Sequence, residues 1–207
     1  MRTDYGSSSP AERIKKENEQ AGFLFEILKT SIMHKKIGER FIVVRSSHYD
    51  DIENKVDNVL VDRKTGNIVC ALDEVSPRSM QDENVTEKRA EIKNKNFGLA
   101  TKQREYGATL EYGIDLNEGK ISCKKFNHLP IFLLSLGQNY LYIGLDEFKN
   151  EKASSKNEDN LFKYFLTSLS TQITELKLDS QEYKKLPQDM RNRIESLEAF
   201  IEEKQRK

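Results

Sequence analysis

The sequence predicts an α/β fold: a mixed central β-sheet flanked by helices, followed by a C-terminal helical extension. Three observations predict it. Three short β-branched runs, RFIVVRSS (40–47), DNVLVD (57–62) and NIVCALDEV (67–75), follow one another across short or moderate links, which makes an antiparallel meander the natural pairing. A charged helical stretch, VTEKRAEIKNKN (85–96), is later followed by a continuous apolar run, LPIFLLSLG (129–137), of the kind read as a central strand buried on both faces. Two amphipathic stretches close the chain. One carries Leu161, Phe165, Leu169 and Ile173 on one face, the other Met190, Ile194, Leu197 and Ile201.

The elements divide as a disordered N-terminus (1–9), an α/β core (10–148), a polar linker (149–159) and a helical hairpin (160–207). Ser9-Pro10-Ala11-Glu12 reads as a capping box with proline at the first helical position. The helix it starts runs to about Lys35. Its first half, AERIKKENEQ, is charged; its second half, AGFLFEILKTSIM, is apolar on most faces and is expected to be buried. Glu26, inside that apolar half, is read as an edge carboxylate facing solvent. HYDDIENKV (48–56) reads as a polar loop carrying Asp50, Asp51 and Glu53. RKTG is a hairpin connection in which Gly66 can take positive φ. In ATLEYGIDL (108–116), Leu110, Tyr112, Ile114 and Leu116 alternate with Thr109, Glu111, Gly113 and Asp115, a period of two that predicts a strand. NEG (117–119) is its turn and KISCKKF (120–126) its return strand. Pro130 fits only at the start of the run that follows, and QNYLYIGLDEFKN reads as a helix on the sheet.

Composition narrows the function classes. The 207 residues suit one domain with a helical appendage. Lys+Arg and Asp+Glu are 34 each, a neutral balance that argues against a dedicated non-specific nucleic-acid binder and leaves room for a local basic face. No apolar run approaches the ~20 residues of a membrane span, and MRTDYGSSSP has no apolar core, so a cytoplasmic protein is expected. Cys70 and Cys123 fall in strand-like runs without metal-ligand spacing and read as reduced core cysteines. His48 and His128 lie in connecting segments. Arg45 ends the first strand and is expected to pair with an acid. No glycine-rich phosphate loop or nucleophile elbow is present.

The second strand opens on Asp57 and the third ends in Asp73-Glu74. An antiparallel hairpin sets the start of one strand beside the end of its partner, so these acids are expected to be neighbours. Grouped carboxylates repel one another unless a cation sits among them. Mg²⁺ and Mn²⁺ favour such oxygen ligands and serve phosphodiester cleavage by polarising a phosphoryl oxygen and generating hydroxide. The competing reading has Asp57 capping a turn and Asp73-Glu74 at a solvated strand end.

The order helix, three strands, helix, strand, with Asp57 on strand two and Glu74-Val75-Ser76 on strand three, resembles the PD-(D/E)XK, restriction-endonuclease-like nuclease superfamily over roughly residues 10–137. The resemblance implies an αβββαβ core and a divalent-metal-dependent nuclease. Asp57 and Glu74, with Asp73 nearby, would hold Mg²⁺ or Mn²⁺, and the partner would be nucleic acid, DNA ahead of RNA. The chain departs from the family at the lysine position, which holds Ser76, or Val75 if Asp73 is the second acid. Some members supply this lysine from the following helix. Lys88, Lys93, Lys95 and Lys102 lie on or just after it here, and Lys93 and Lys102 are the expected replacements. Gln103 and Tyr106 are similar to a Gln/Tyr pair of some exonuclease members, one residue short in spacing. The contrasting reading is a non-catalytic interaction protein with a degenerate nuclease fold, its C-terminal helices serving a protein partner or a homodimer. A basic surface bordering the acids would favour the nuclease, because the acids alone would repel nucleic acid.

Overall fold

The computed structural model of the chain describes residues 10–78, 83–100, 102–115, 122–149 and 156–206. The expectations for residues 1–9, the capping serine Ser9 and the turn at 117–119 lie outside the described residues, as does 150–155 of the segment read as a linker. In chain order the elements are α1 (Pro10–Ile37), β1 (Phe41–Arg45), α2 (His48–Ile52), β2 (Asn58–Asp62), β3 (Ile68–Val75), α3 (Glu83–Asn96), β4 (Ala108–Asp115), β5 (Ser122–Leu129), β6 (Ile131–Ser135), α4 (Gln138–Lys149), α5 (Lys156–Leu178), α6 (Ser180–Lys185) and α7 (Gln188–Gln205).

The mixed sheet has the order β1-β2-β3-β6. The first three strands form the expected antiparallel meander, with Gly66 at φ 70° in its second turn. β6 runs parallel to β3, Ala71 opposite Ile131 and Val75 opposite Ser135. A parallel neighbour needs a long crossover, and α3 with the separate two-stranded β4–β5 ribbon provides it.

Alternation along β3 divides the core in two. Cys70 and Leu72 pack with Phe25, Leu28 and Ile32 of α1, and with Phe165 of α5 and Ile194 of α7. Ala71 packs on the other side with Ile92 of α3 and Leu110 of β4. The apolar faces of α5 and α7 are therefore buried inside the chain's own core. Asp73 and Glu74 come next in the same alternation, so the pleat directs them to opposite faces of the sheet.

The apolar run 129–137 is buried as expected, but β6 is an edge strand of the sheet, opposite β1, and not a central one. Its free edge is sealed by two side-chain amides. Asn96 of α3 accepts from the Ile131 N–H at 2.9 Å and donates to the Ile131 carbonyl at 2.8 Å. Gln172 of α5 does the same at Leu133, at 2.9 and 2.8 Å. Each amide takes the place of a neighbouring strand and satisfies a backbone pair that burial would otherwise orphan. Replacing Asn96 with leucine leaves the Ile131 N–H and C=O dry and unpaired, and urea titration should read a loss of about 3 kcal/mol.

Two further expectations change. The segment read as a loop at 48–56 contains α2, because Ser47 caps it: the Ser47 hydroxyl accepts from the Asp50 N–H at 3.0 Å and donates to the Asp50 carboxylate at 2.7 Å. Both cysteines are free and lie in strands, yet only Cys70 is buried; Cys123 is exposed.

Candidate functional site

Asp57 stands immediately before β2 and its carboxylate accepts the Glu74 N–H at 2.7 Å. The hairpin thus joins the two strand ends as the sequence implies. Glu74 and Asp73 are not solvated: their side chains are 5% and 6% exposed. Glu74 faces α1, where Lys29, with its side chain fully buried, donates to Oε1. Asn58 donates to the same oxygen at 2.9 Å. The second oxygen, Oε2, is buried and has no hydrogen-bond partner. Burial pushes the Glu74 carboxyl up, against the opposing charge and hydrogen bond of Lys29. Sequence reasoning misses Lys29, although its spacing gives a signal: it follows Phe25 by four residues, on the stripe that buries α1.

A cavity of about 160 Å³ opens beside this pair, lined by Gly22, Glu26, Arg45, Asp51, Asp57 and Glu74. Glu26 is half-buried here and does not simply face solvent as expected; Arg45 lies 3.6 Å from it and 3.9 Å from Asp51. Burial, with the charges of Asp73 and Glu74, raises the Asp57 carboxyl to about 7, against the Glu74 N–H and Lys88. A carboxyl raised to about 7 chiefly by burial, and further by two neighbouring acids, marks a place where a cation would be stabilising.

On the opposite face Asp73 accepts from Lys88 of α3 at 2.8 Å. Burial works against the Lys88 charge, but Asp73 and Asp57 outweigh it and hold the ammonium above its ordinary range. Lys95, two turns on, is half-buried and pushed down by burial. Lys88 is the helix lysine that pairs directly with Asp73, whereas Lys95 feels the Asp73 charge but donates to the Asn54 carbonyl. Lys93 sits over the Phe97 ring at 5.9 Å, and Lys102 is exposed beyond α3. Ser76 is buried and donates to the Leu136 carbonyl at 2.9 Å, a structural contact. Gln103 is exposed, whereas Tyr106 packs on the core.

Asp50, expected as one acid of a polar loop, is fully buried and anchors the ribbon. Besides Ser47 it takes Asn54 at 2.7 Å and two consecutive backbone N–H groups of β4, Glu111 at 2.7 Å and Tyr112 at 3.2 Å. Consecutive amides can face one acceptor because β4 carries an extra residue between Leu110 and Gly113, which pair with Phe126 and Lys124. The bulge breaks the predicted period of two, so Gly113 is buried and Tyr112 is 52% exposed. A Cβ at Gly113 would run into the Phe126 ring. Burial alone would raise the Asp50 carboxyl, but the hydrogen bonds from Glu111, Ser47, Asn54 and Tyr112 hold it below its ordinary range. Asp50→Ala should cost about 3 kcal/mol at neutral pH. Because the folded carboxyl sits low, its stabilisation is complete above the unfolded value and is lost as pH falls through the folded one. Melting from pH 7 to 3 should therefore narrow the gap between variant and wild type.

Carboxylates are the oxygen donors a hard divalent cation takes, and Asp57 and Glu74 line one cavity; Glu74 Oε2 is itself buried and without a hydrogen-bond partner. Among the described residues, no three His, Cys, Asp or Glu side chains form a ready metal cage. Mg²⁺ is commonly held by one or two carboxylates, with water and substrate phosphate completing its shell. No helix among the described residues is long and apolar enough to cross a membrane. Compared with known proteins, the chain matches no family model, no curated protein and no solved structure.

Proposed function

We propose that this chain is a divalent-metal-dependent phosphodiesterase of the PD-(D/E)XK type that acts on nucleic acid. The observation that carries the reading is that Asp57 and Glu74, joined through the Glu74 N–H, line one cavity, and that Glu74 Oε2 is buried without a hydrogen-bond partner. The strand order β1-β2-β3-β6, with β6 parallel to β3 and helices α1 and α3 before β1 and after β3, supports it. So do the cations that border the acids: Lys29, Lys88 and Arg45.

Asp57 and Glu74 would hold Mg²⁺ or Mn²⁺. Such an ion supplies charge for a phosphoryl oxygen and acidifies a water. Lys29 fixes Glu74 through Oε1, so that Oε2 is the oxygen left without a hydrogen-bond partner. Arg45, beside Glu26 and Asp51 on the cavity lining, would turn from those acids to meet a phosphate. Lys88 offsets the charge of Asp73 and Asp57, the work that Ser76 cannot do.

One observation favours a second reading, a non-catalytic interaction protein on the same fold. Asp73 and Glu74 each already pair with a lysine, which lowers their need for a metal. Calorimetric titration of Mn²⁺ and Mg²⁺ into wild type and Asp57→Ala/Glu74→Ala separates the two. The same samples are assayed on labelled single- and double-stranded DNA and RNA. Metal binding and cleavage that vanish together in the variant are expected. A wild type that binds no metal, even with oligonucleotide present, would leave the interaction protein.

A further inference from the structure

The acidic cavity has two counter-cations of opposite character. Lys29 is fully buried and donates to Glu74, so it cannot leave without stranding that carboxylate in a dry site. Arg45 is 61% exposed, and its guanidinium nitrogens stand 3.6 Å from Glu26 and 3.9 Å from Asp51. These are charge contacts longer than hydrogen bonds, made to acids that water already reaches, and they break at little cost. The place of Arg45 is nonetheless fixed by the sheet. It lies opposite Asn58 across β1 and β2, and the next residue, Ser46, donates its N–H to the Asp57 carbonyl at 3.0 Å. Glu26 comes to the same cavity from α1 and Asp51 from α2. Glu26, Asp51, Asp57 and Glu74 thus surround about 160 Å³, and among the described residues that line it Arg45 is the one cation.

We propose that Arg45 is an exchangeable counter-ion: it balances the cavity acids in the metal-free protein and gives way when a divalent cation enters. The inference rests on the phosphodiesterase reading for the identity of that ion. Like charges in so small a space repel, so an ion gains the acids by driving the guanidinium off Glu26 and Asp51. Arg45 is then left in water beside the loaded cavity, free for a planar, two-pronged contact with a phosphate. Uptake of the ion and of a phosphodiester chain therefore reinforce one another, each tightening the other by the same factor. Lys29 stays in place throughout, so the cavity has one permanent positive charge and one that is traded.

Calorimetric titration with Mn²⁺ alone tests it, on wild type, Arg45→Gln, Arg45→Lys and Arg40→Gln. The last removes an equal charge from just before β1, at its far end, where Arg40 faces Asp62 and Glu203. Arg45→Gln should bind Mn²⁺ about tenfold more tightly than wild type, the scale of repulsion between neighbouring cations at a protein surface. Arg45→Lys and Arg40→Gln should stay within about twofold of wild type, the first because it keeps the charge and the second because salt screens it. Melting at pH 8 gives a second readout. In EDTA Arg45→Gln should melt somewhat below wild type, because the acids have lost a counter-charge, and millimolar Mn²⁺ should close that gap. A residue that serves packing alone would lower the melting temperature in both conditions and leave the affinity unmoved. Equal or weaker Mn²⁺ binding by Arg45→Gln overturns the inference and keeps the metal cavity. Equal tightening by Arg40→Gln also overturns it, since net charge would then account for the effect. No Mn²⁺ uptake by either wild type or Arg45→Gln removes this inference and the phosphodiesterase reading together.

Discussion

Lys29→Met is expected to be among the most destabilising single substitutions in this protein, costing about 3–5 kcal/mol at neutral pH. The residue sits in the apolar stripe of α1 with no exposed side-chain surface, and its ammonium is the cation paired with the buried Glu74. Methionine fills the same volume, so packing is nearly conserved and the loss is electrostatic. Without Lys29, Glu74 must either stay ionised in a dry site or take up a proton. Burial already raises the Glu74 carboxyl with Lys29 present, so its removal pushes the group further in that direction. A raised folded carboxyl costs stability as pH climbs above its unfolded value, and the cost disappears below that value. The deficit of Lys29→Met should accordingly be largest near pH 8 and shrink toward pH 4, as read by urea titration at each pH. Adding Glu74→Met should restore most of the stability, since a well-packed apolar pair often equals or exceeds a buried ion pair. A single variant as stable as wild type at pH 8 would show that Glu74 reaches water.

Asp57→Asn should move stability the other way. The Asp57 carboxyl rises from 3.8 to about 7, so the folded state resists its ionisation. A group raised in this sense stabilises fully below its unfolded value and loses that contribution as pH rises through the folded one. A rise of that size corresponds to about 4 kcal/mol lost by wild type between roughly pH 4 and pH 8. Asparagine carries no charge and its Oδ1 can still accept the Glu74 N–H. The variant should melt with wild type at pH 4 and well above it at pH 8. Millimolar Mn²⁺ at pH 8 should raise the wild-type melting temperature and leave the variant unchanged, because the ion supplies the charge the acids lack. Cleavage, if the phosphodiesterase reading holds, should fall to background in the variant. A variant no more stable than wild type at pH 8 would place Asp57 in contact with solvent.

The meander and the meeting of Asp57 with Glu74 are legible in the sequence because both follow from local rules: strand-length apolar runs, a glycine-containing turn, and the geometry of a hairpin. The partners of the acids are not. Lys29 comes from a helix that precedes the meander, and only docking in three dimensions decides which of its faces meets β3. Lys88 cannot be told from Lys93 because little more than one helical turn separates them, yet their surroundings differ entirely. Asp50 looks like a solvated loop acid, although Ser47 three residues before it is a capping signal. Its burial depends on two amides of β4, about sixty positions away, that point together only because of a bulge. A one-residue insertion in a strand leaves no trace in a pattern of alternation that is otherwise regular. The edge position of β6 is hidden for a related reason: a strand sealed by side-chain amides is as apolar as one flanked by strands.

That seal also bears on the order in which the chain reaches its native form. β6 must find β3 across some sixty residues, while Asn96 and Gln172 bracket it from 35 residues before and 39 after. Contacts so distant in sequence carry a large loop-closure cost and belong to the late side of the folding barrier. The amides therefore contribute little to how quickly the chain folds and much to how slowly it comes apart. Their effect is on the lifetime of the folded molecule: the parallel strand that closes last is held by two clasps, from α3 and α5, that must both open before it leaves.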